Sequence, residues 1–227
     1  MLRKGKIMKK IICTICVLMF MFSIPIAAIG VDRYSDVDNN AWYSVSVDFV
    51  SKKALMQGVG NNLFAPNDYI TRAMAITVLW RHAGQPDSTD CNFCDVYYTD
   101  WFAEAASWGD NCGIVKGYPI EGVIPGSYAY YWSFEGQKTI TREELACFLY
   151  RYAKYAGADV SESASLEGFA DAASVSDWAE VALGWCVAKD ILQGTPEGES
   201  LNLAPADHAT RAEVAAMLMR YCEMIEG

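Results

Sequence analysis

Histidine is almost missing from this chain: two residues in 227, His82 and His208. No His-centred triad, nucleophile elbow or phosphate loop appears, and the acidic residues are spread over helix faces, so nothing marks an enzyme. Basic residues are also scarce, 18 Lys and Arg against 28 Asp and Glu. Residues 1–30 hold five of the 18 and no acid, so without them the net charge moves from −10 to −15. A chain so acidic repels nucleic acid and anionic membrane surfaces, and must hold any anionic ligand with locally placed Arg. Complete metal-ligand sets are wanting too. Cys13 and Cys16 lie in the N-terminal apolar run, and Cys91-Asn92-Phe93-Cys94 is followed by no second close Cys or His pair to complete a zinc site, so neither metal nor cofactor is expected.

The N-terminus orders Arg3, Lys4, Lys6, Lys9 and Lys10 before an apolar run, Ile11 to Ile24, and then Pro25 with the small residues Ala27, Ala28 and Gly30. That order predicts a secretory signal peptide over residues 1–30. An uncleaved membrane anchor is the alternative, since the apolar character extends almost to Ile29. Cys16 lacks the small residue before it that a lipid anchor requires. Removal of the leader leaves Cys91, Cys94, Cys112, Cys147, Cys186 and Cys222, of which Cys147 and Cys186 fall on apolar helical positions and are expected to be buried.

The remainder is written three times. Ile70-Thr71-Arg72-Ala73-Met74 returns as Ile140-Thr141-Arg142-Glu143-Glu144 and as Ala209-Thr210-Arg211-Ala212-Glu213. A Thr followed three positions later by Glu, before an apolar run at helical spacing, is a capping box, so each copy starts a helix. The Arg just inside the helix faces the positive end of the macrodipole, a cost that an anionic ligand would explain. Upstream stand Tyr34-Ser35-Asp36, Phe93-Cys94-Asp95 and Phe169-Ala170-Asp171, then Trp42, Trp101 and Trp178, each 16 residues before Gly58, Gly117 and Gly194. Apolar residues at helical intervals between Trp and Gly predict a first helix of about three turns. The Gly is expected to take positive φ as the chain leaves it.

The loop from Gly to Thr is longest in the second copy, whose insertion within Ile120 to Gly136 carries Tyr128, Tyr130, Tyr131 and Trp132. A further Arg closes each second helix, Arg81, Arg151 and Arg220, where the dipole alone accounts for a cation. Each copy is too small to bury much core, so three must pack together. The expectation is an all-α, pseudo-trimeric module of three helix-loop-helix repeats, 31–86, 90–157 and 166–227. The capped helices would form a central three-helix bundle, with ligand clefts between neighbouring copies.

In that order, the aromatic-x-Asp, the Trp, the post-helix Gly, the Phe-x-Pro and the Thr-Arg-Ala-Glu helix start resemble S-layer homology repeats over nearly all of the chain after residue 30. The resemblance implies a secreted, cell-surface protein. It would anchor without covalent bonds to a peptidoglycan-linked secondary cell-wall polysaccharide, commonly one with a pyruvate ketal on an amino sugar. Arg72, Arg142 and Arg211 are then candidates for the ketal carboxylate, which an Arg fork and adjacent helix-start amides would favour. Trp42, Trp101 and Trp178 would pack on sugar faces, Asp36, Asp95 and Asp171 would accept from sugar hydroxyls, and Gly58, Gly117 and Gly194 would let the ligand approach the backbone. For Trp the alternative is burial in the core, and for Asp a turn or cap.

Two departures stand out. Met74 replaces the Glu in the first copy, and Phe134-Glu135-Gly136 replaces Phe-x-Pro in the second. The complete third motif makes Arg211 the expected best site. A different class of function remains open: a structural or protein-interaction module that has lost polymer binding and uses the aromatic insertion, with other surface proteins or a second copy of itself as partner.

Overall fold

The computed structural model describes residues 34–120 and 132–226. The leader expectation and Tyr128, Tyr130 and Tyr131 lie outside them. Three helix pairs follow one another: α1 (Ser44–Lys52) with α2 (Arg72–His82), α3 (Ala103–Asn111) with α4 (Arg142–Tyr155), and α5 (Glu180–Ala188) with α6 (Arg211–Glu226). The all-α expectation was incomplete. A two-stranded antiparallel sheet follows the first helix in the second and third pairs, β1 (Tyr118–Pro119) with β2 (Trp132–Ser133) and β3 (Thr195–Glu197) with β4 (Ser200–Asn202). Both begin just after the post-helix glycine, where the sequence reading had placed only loop.

The second helices start where the capping residues set them. The Thr71 hydroxyl accepts from the Met74 amide, Thr141 and Glu144 form the reciprocal box, and Thr210 with Glu213 does the same. The N1 and N2 amides are not left for a ligand. Arg72 N donates to Lys138 O and Ala73 N to Gly136 O, and the bonds from Arg142 to Asp207, Glu143 to Pro205, Arg211 to Asp68 and Ala212 to Pro66 repeat the pattern. Each helix start is therefore closed by the loop of the next copy, and the third reaches back to the first.

A ring of backbone bonds fixes that closure. Ile70 N donates to Ala209 O (3.1 Å), Ala209 N to Ile140 O (3.0 Å), and Ile140 N to Ile70 O (3.0 Å). At the other end of the same helices His82, Tyr152 and Tyr221 meet with ring centroids 5.5 to 6.0 Å apart. The three capped helices thus converge on one axis, as expected. Their apolar faces, including Ile76, Leu79, Phe148, Leu149, Met217 and Leu218, enter one core with Trp108 and Trp185. Cys147, Cys186 and Cys222 are buried there, and burial pushes the thiols of Cys147 and Cys222 up to about 11, which keeps them protonated at neutral pH.

The first helices pack crosswise: α1 on α6, α3 on α2 and α5 on α4. Each therefore covers the capped helix of the preceding copy, and the clefts fall between copies. The glycine expectation needs correction. The left-handed residue after each first helix is Ala54, Gly113 or Asp190, four positions earlier than predicted, and only Gly194 of the three repeated glycines has positive φ. Gly58 and Gly117 are required by close approach instead. A Cβ there would lie 2.6 Å from Leu63 O or Ser133 O, and 2.6 or 2.7 Å from the ring of Tyr34 or Phe93.

Candidate functional site

The recurrent Asp is drawn into its own loop. Asp36 accepts from Phe64 N and Ala65 N, Asp95 from Phe134 N and Glu135 N, and Asp171 from Leu203 N and Ala204 N, all within 2.6 to 2.8 Å. The second residue of each donor pair has φ between 50° and 57°. Holding a side-chain-bearing residue in that region costs free energy, and two charge-assisted bonds offset it. The Asp residues expected to meet sugar hydroxyls therefore fix the loop that frames the groove.

The recurrent Arg is buried and also engaged. Arg72, Arg142 and Arg211 are 2%, 6% and 8% exposed. Their Nε atoms donate to the carbonyls of Phe134, Leu203 and Phe64, each in the next copy. Arg72 Nη2 adds Lys116 O, and Arg211 Nη2 adds Gln57 O. The cation placed at a helix start is thus explained by loop carbonyls across the copy boundary. Its third nitrogen meets a carboxylate from that next copy: Arg72 Nη1 lies 3.3 Å from Glu144, and Arg142 Nη1 lies 2.5 Å from Glu213. The corresponding partner of Arg211 would be residue 74, which is Met, so the site composed around Arg211 is the one that departs from the pattern. The complete third motif does not make a complete third groove, because Arg and Glu of one groove come from different copies.

The recurrent Trp is not core. Trp42, Trp101 and Trp178 are 65%, 59% and 56% exposed. Trp178 borders a cavity of about 360 Å³ lined by Arg72, Gly117, Glu144 and Arg151, with Lys116 and Tyr118 beside them. Trp42 borders a cavity of about 320 Å³ lined by Arg142, Gly194, Glu213 and Arg220, with Gln193 and Thr195 in place of Lys116 and Tyr118. One Arg, one Gly, one Trp and one closing Arg therefore meet in each groove, brought from three different copies. An open cleft with a buried guanidinium, an apolar floor and an exposed indole rim suits a sugar ring.

Arg151 and Arg220 were assigned to the helix dipole alone. They also latch α4 and α6 to Ile114 O and Ile191 O (each 3.3 Å) and line the grooves. Their threefold recurrence was the available signal. Lys116, Tyr118, Glu144 and Glu213 were not singled out as groove residues either. Burial pushes the Tyr118 hydroxyl up, with its hydrogen bond to Glu144 adding to the shift. Two further exposed aromatics, Tyr97 and Tyr98, stand just before Trp101. No group of His, Cys, Asp and Glu that could hold a metal occurs among the described residues.

Comparison with known proteins addresses the same segments. Residues 33–75 and 168–215 match the S-layer homology domain. These S-layer homology matches fall on the first and third copies. The chain is also 27% identical over 206 residues to a surface-layer 125 kDa protein of Lysinibacillus sphaericus, covering 90% of this chain and 16% of that protein. It is 27% identical over 194 residues to an amylopullulanase of Thermoanaerobacterium thermosulfurigenes (85% of this chain, 10% of the relative). It is 24% identical over 186 residues to the exoglucanase XynX of Acetivibrio thermocellus (82% and 16%). The chain thus spans between a tenth and a sixth of the length of these relatives. Alignments of this length take in the second copy as well as the two that match the domain.

Proposed function

We propose that the chain is a cell-wall anchor of three S-layer homology repeats. It binds, without catalysis, a peptidoglycan-linked secondary polysaccharide bearing pyruvate ketals, at the outer surface of a bacterium to which residues 1–30 export it. One observation carries the reading. Two grooves of similar size occur at successive copy boundaries, each joining a buried Arg, a glycine, a closing Arg and a half-exposed Trp. A linear polymer with a repeating unit engages such spaced, equivalent clefts together, and weak single contacts then add through effective concentration. The S-layer homology matches and the surface-layer relative support the same reading.

In it Trp42, Trp101 and Trp178 stack on sugar rings, while Arg72, Arg142 and Arg211 set the groove walls. Sedimentation of the purified protein with sacculi of the producing bacterium tests the proposal. Binding that disappears when the secondary polymer is stripped chemically supports it. Undiminished binding to stripped peptidoglycan overturns it, as does failure of the folded protein to bind intact walls.

A further inference from the structure

The six cysteines after residue 30 differ in access. Cys147, Cys186 and Cys222 are buried in the core, Cys91 and Cys112 are half-buried at its edge, and Cys94 is exposed. Where the second copy has Cys91 and Cys112, the first has Asp32 and Lys53 and the third has Glu167 and Lys189. Two copies set opposite charges at this pair of positions, and the second sets two thiols.

Cys112, Lys53 and Lys189 each cap the C-terminus of their first helix, α3, α1 and α5. Both Lys tether that end. Lys53 pairs with Glu226 at the end of α6, and Lys189 with Glu162 in the linker that precedes its own copy. The same linker folds back on α5, with Ala164 N donating to Gly184 O (3.0 Å). The chain entering the second copy folds back on α3 in like manner. Asn111 Nδ2 donates to Ser88 Oγ (2.8 Å) and Thr89 O (3.2 Å), while Asp110 accepts from Asn92 N (2.8 Å) and Asn92 Nδ2 (2.9 Å). A disulfide needs Cα atoms about 4.4–6.8 Å apart. Bonds from both sides of Cys91 to the two residues before Cys112 set the two backbones side by side. Cys94 has its amide donated to Trp132 O instead (3.1 Å).

We infer, on the basis of the export reading above, that Cys91 and Cys112 are joined by a disulfide in the protein outside the cell, a covalent tether where the other copies use Lys ion pairs. Disulfides persist in that setting. The electron pair goes to the disulfide of a thiol-disulfide exchange protein. One thiolate of the pair attacks that disulfide, the second displaces the mixed disulfide, and the carrier leaves as a dithiol with both protons. The cross-link pins the start of the second copy, where the Phe93 ring is buried and Asp95 holds the Phe134 loop.

The test is peptide mapping by mass spectrometry, without reductant, of protein recovered from the surface of the producing bacterium and of reduced full chain equilibrated with oxidised glutathione. Both should yield a linked Cys91–Cys112 peptide, with Cys94 open to alkylation. Reduction should lower the thermal midpoint by about 5–10 °C. Cys94→Ser keeps the linkage and that response. The double variant Cys91→Asp, Cys112→Lys, which writes the residues of the first copy into the second, melts near the reduced wild type and does not respond to reductant.

Free Cys91 and Cys112 in surface protein overturn the inference, as does linkage of Cys91 to Cys94 or between chains. Each of these results leaves wall anchoring standing. Protein found only inside the cell sinks the export reading and this inference with it, whereas the glutathione arm still reports whether the two thiols pair.

Discussion

Replacing Arg211 by Ala should destabilise the fold before it affects any ligand. The guanidinium donates to Phe64 O and Gln57 O, both at 2.7 Å, across 147 and 154 residues of sequence, and lies 4.6 Å from the Phe64 ring. Truncation leaves two loop carbonyls without partners, each costing about 1–3 kcal/mol, less whatever water recovers. The lost contact with the ring adds a further fraction of a kcal/mol, so a total of about 3–5 kcal/mol is expected. For a chain of this size, with a stability of order 10 kcal/mol, that is a third to a half of the whole. Urea unfolding followed by near-ultraviolet circular dichroism reads it as a lower midpoint at unchanged slope. Arg211→Lys, which can reach one carbonyl but not both, should fall between. An Arg211→Ala variant that unfolds at the wild-type midpoint yet fails to bind walls would refute the latch and restore this Arg as a ligand contact.

Met74→Glu supplies both the missing half of the first capping box and a partner for Arg211, and should raise stability by about 1 kcal/mol, less at high salt, in thermal melts. Gly117→Ala sets a Cβ 2.6 Å from Ser133 O. Backbone must move there, so an overpacking cost of about 1–3 kcal/mol and weaker polymer binding are expected, measured by urea titration and sedimentation. His82 is held below its ordinary value near 6.5 by burial and by Lys53, with its Nδ1 2.7 Å from the Tyr152 hydroxyl. Its folded-state pKa is depressed, so the unfolded chain takes up the proton first. Stability is full above about pH 6.5 and declines as pH falls below it, by no more than about 1.4 kcal/mol per pH unit from this one group. His82→Gln should flatten that part of the melting-temperature profile.

The local part of this architecture was legible in the sequence because its signals are local. Thr141 and Glu144 meet within one helical turn, and the constant Trp-to-Gly spacing marked three equal units. The helix pairs and their convergence on one axis followed from that. What was hidden depends on contacts across copies. Nothing near Arg72 in sequence shows that its partners are Lys116, Phe134 and Glu144. The helix dipole marks the Arg as odd from local sequence alone, whereas its carbonyl partners lie across the copy boundary, so from local sequence an external anion is the simplest explanation.

The glycines were misread for a related reason. A spacing repeated in all three copies can serve positive φ or close packing equally well, and only the Tyr34 and Phe93 rings pressed on Gly58 and Gly117 decide between them. The short hairpins escaped because Tyr118–Pro119 and Trp132–Ser133 offer two residues each, below the length at which alternation can be seen. Arg151 and Arg220 had an adequate local explanation, which concealed their second role.

The exposed indoles separate ligand binding from folding most cleanly, since Trp42 and Trp178 stand largely in solvent. The decisive measurement is sedimentation of a Trp42→Ala, Trp178→Ala double variant with intact sacculi, its melting temperature first shown to match the wild type. The account predicts loss of polymer-dependent binding, more than the product of the two single losses if both grooves engage one chain. Wild-type binding by the folded double variant would contradict it.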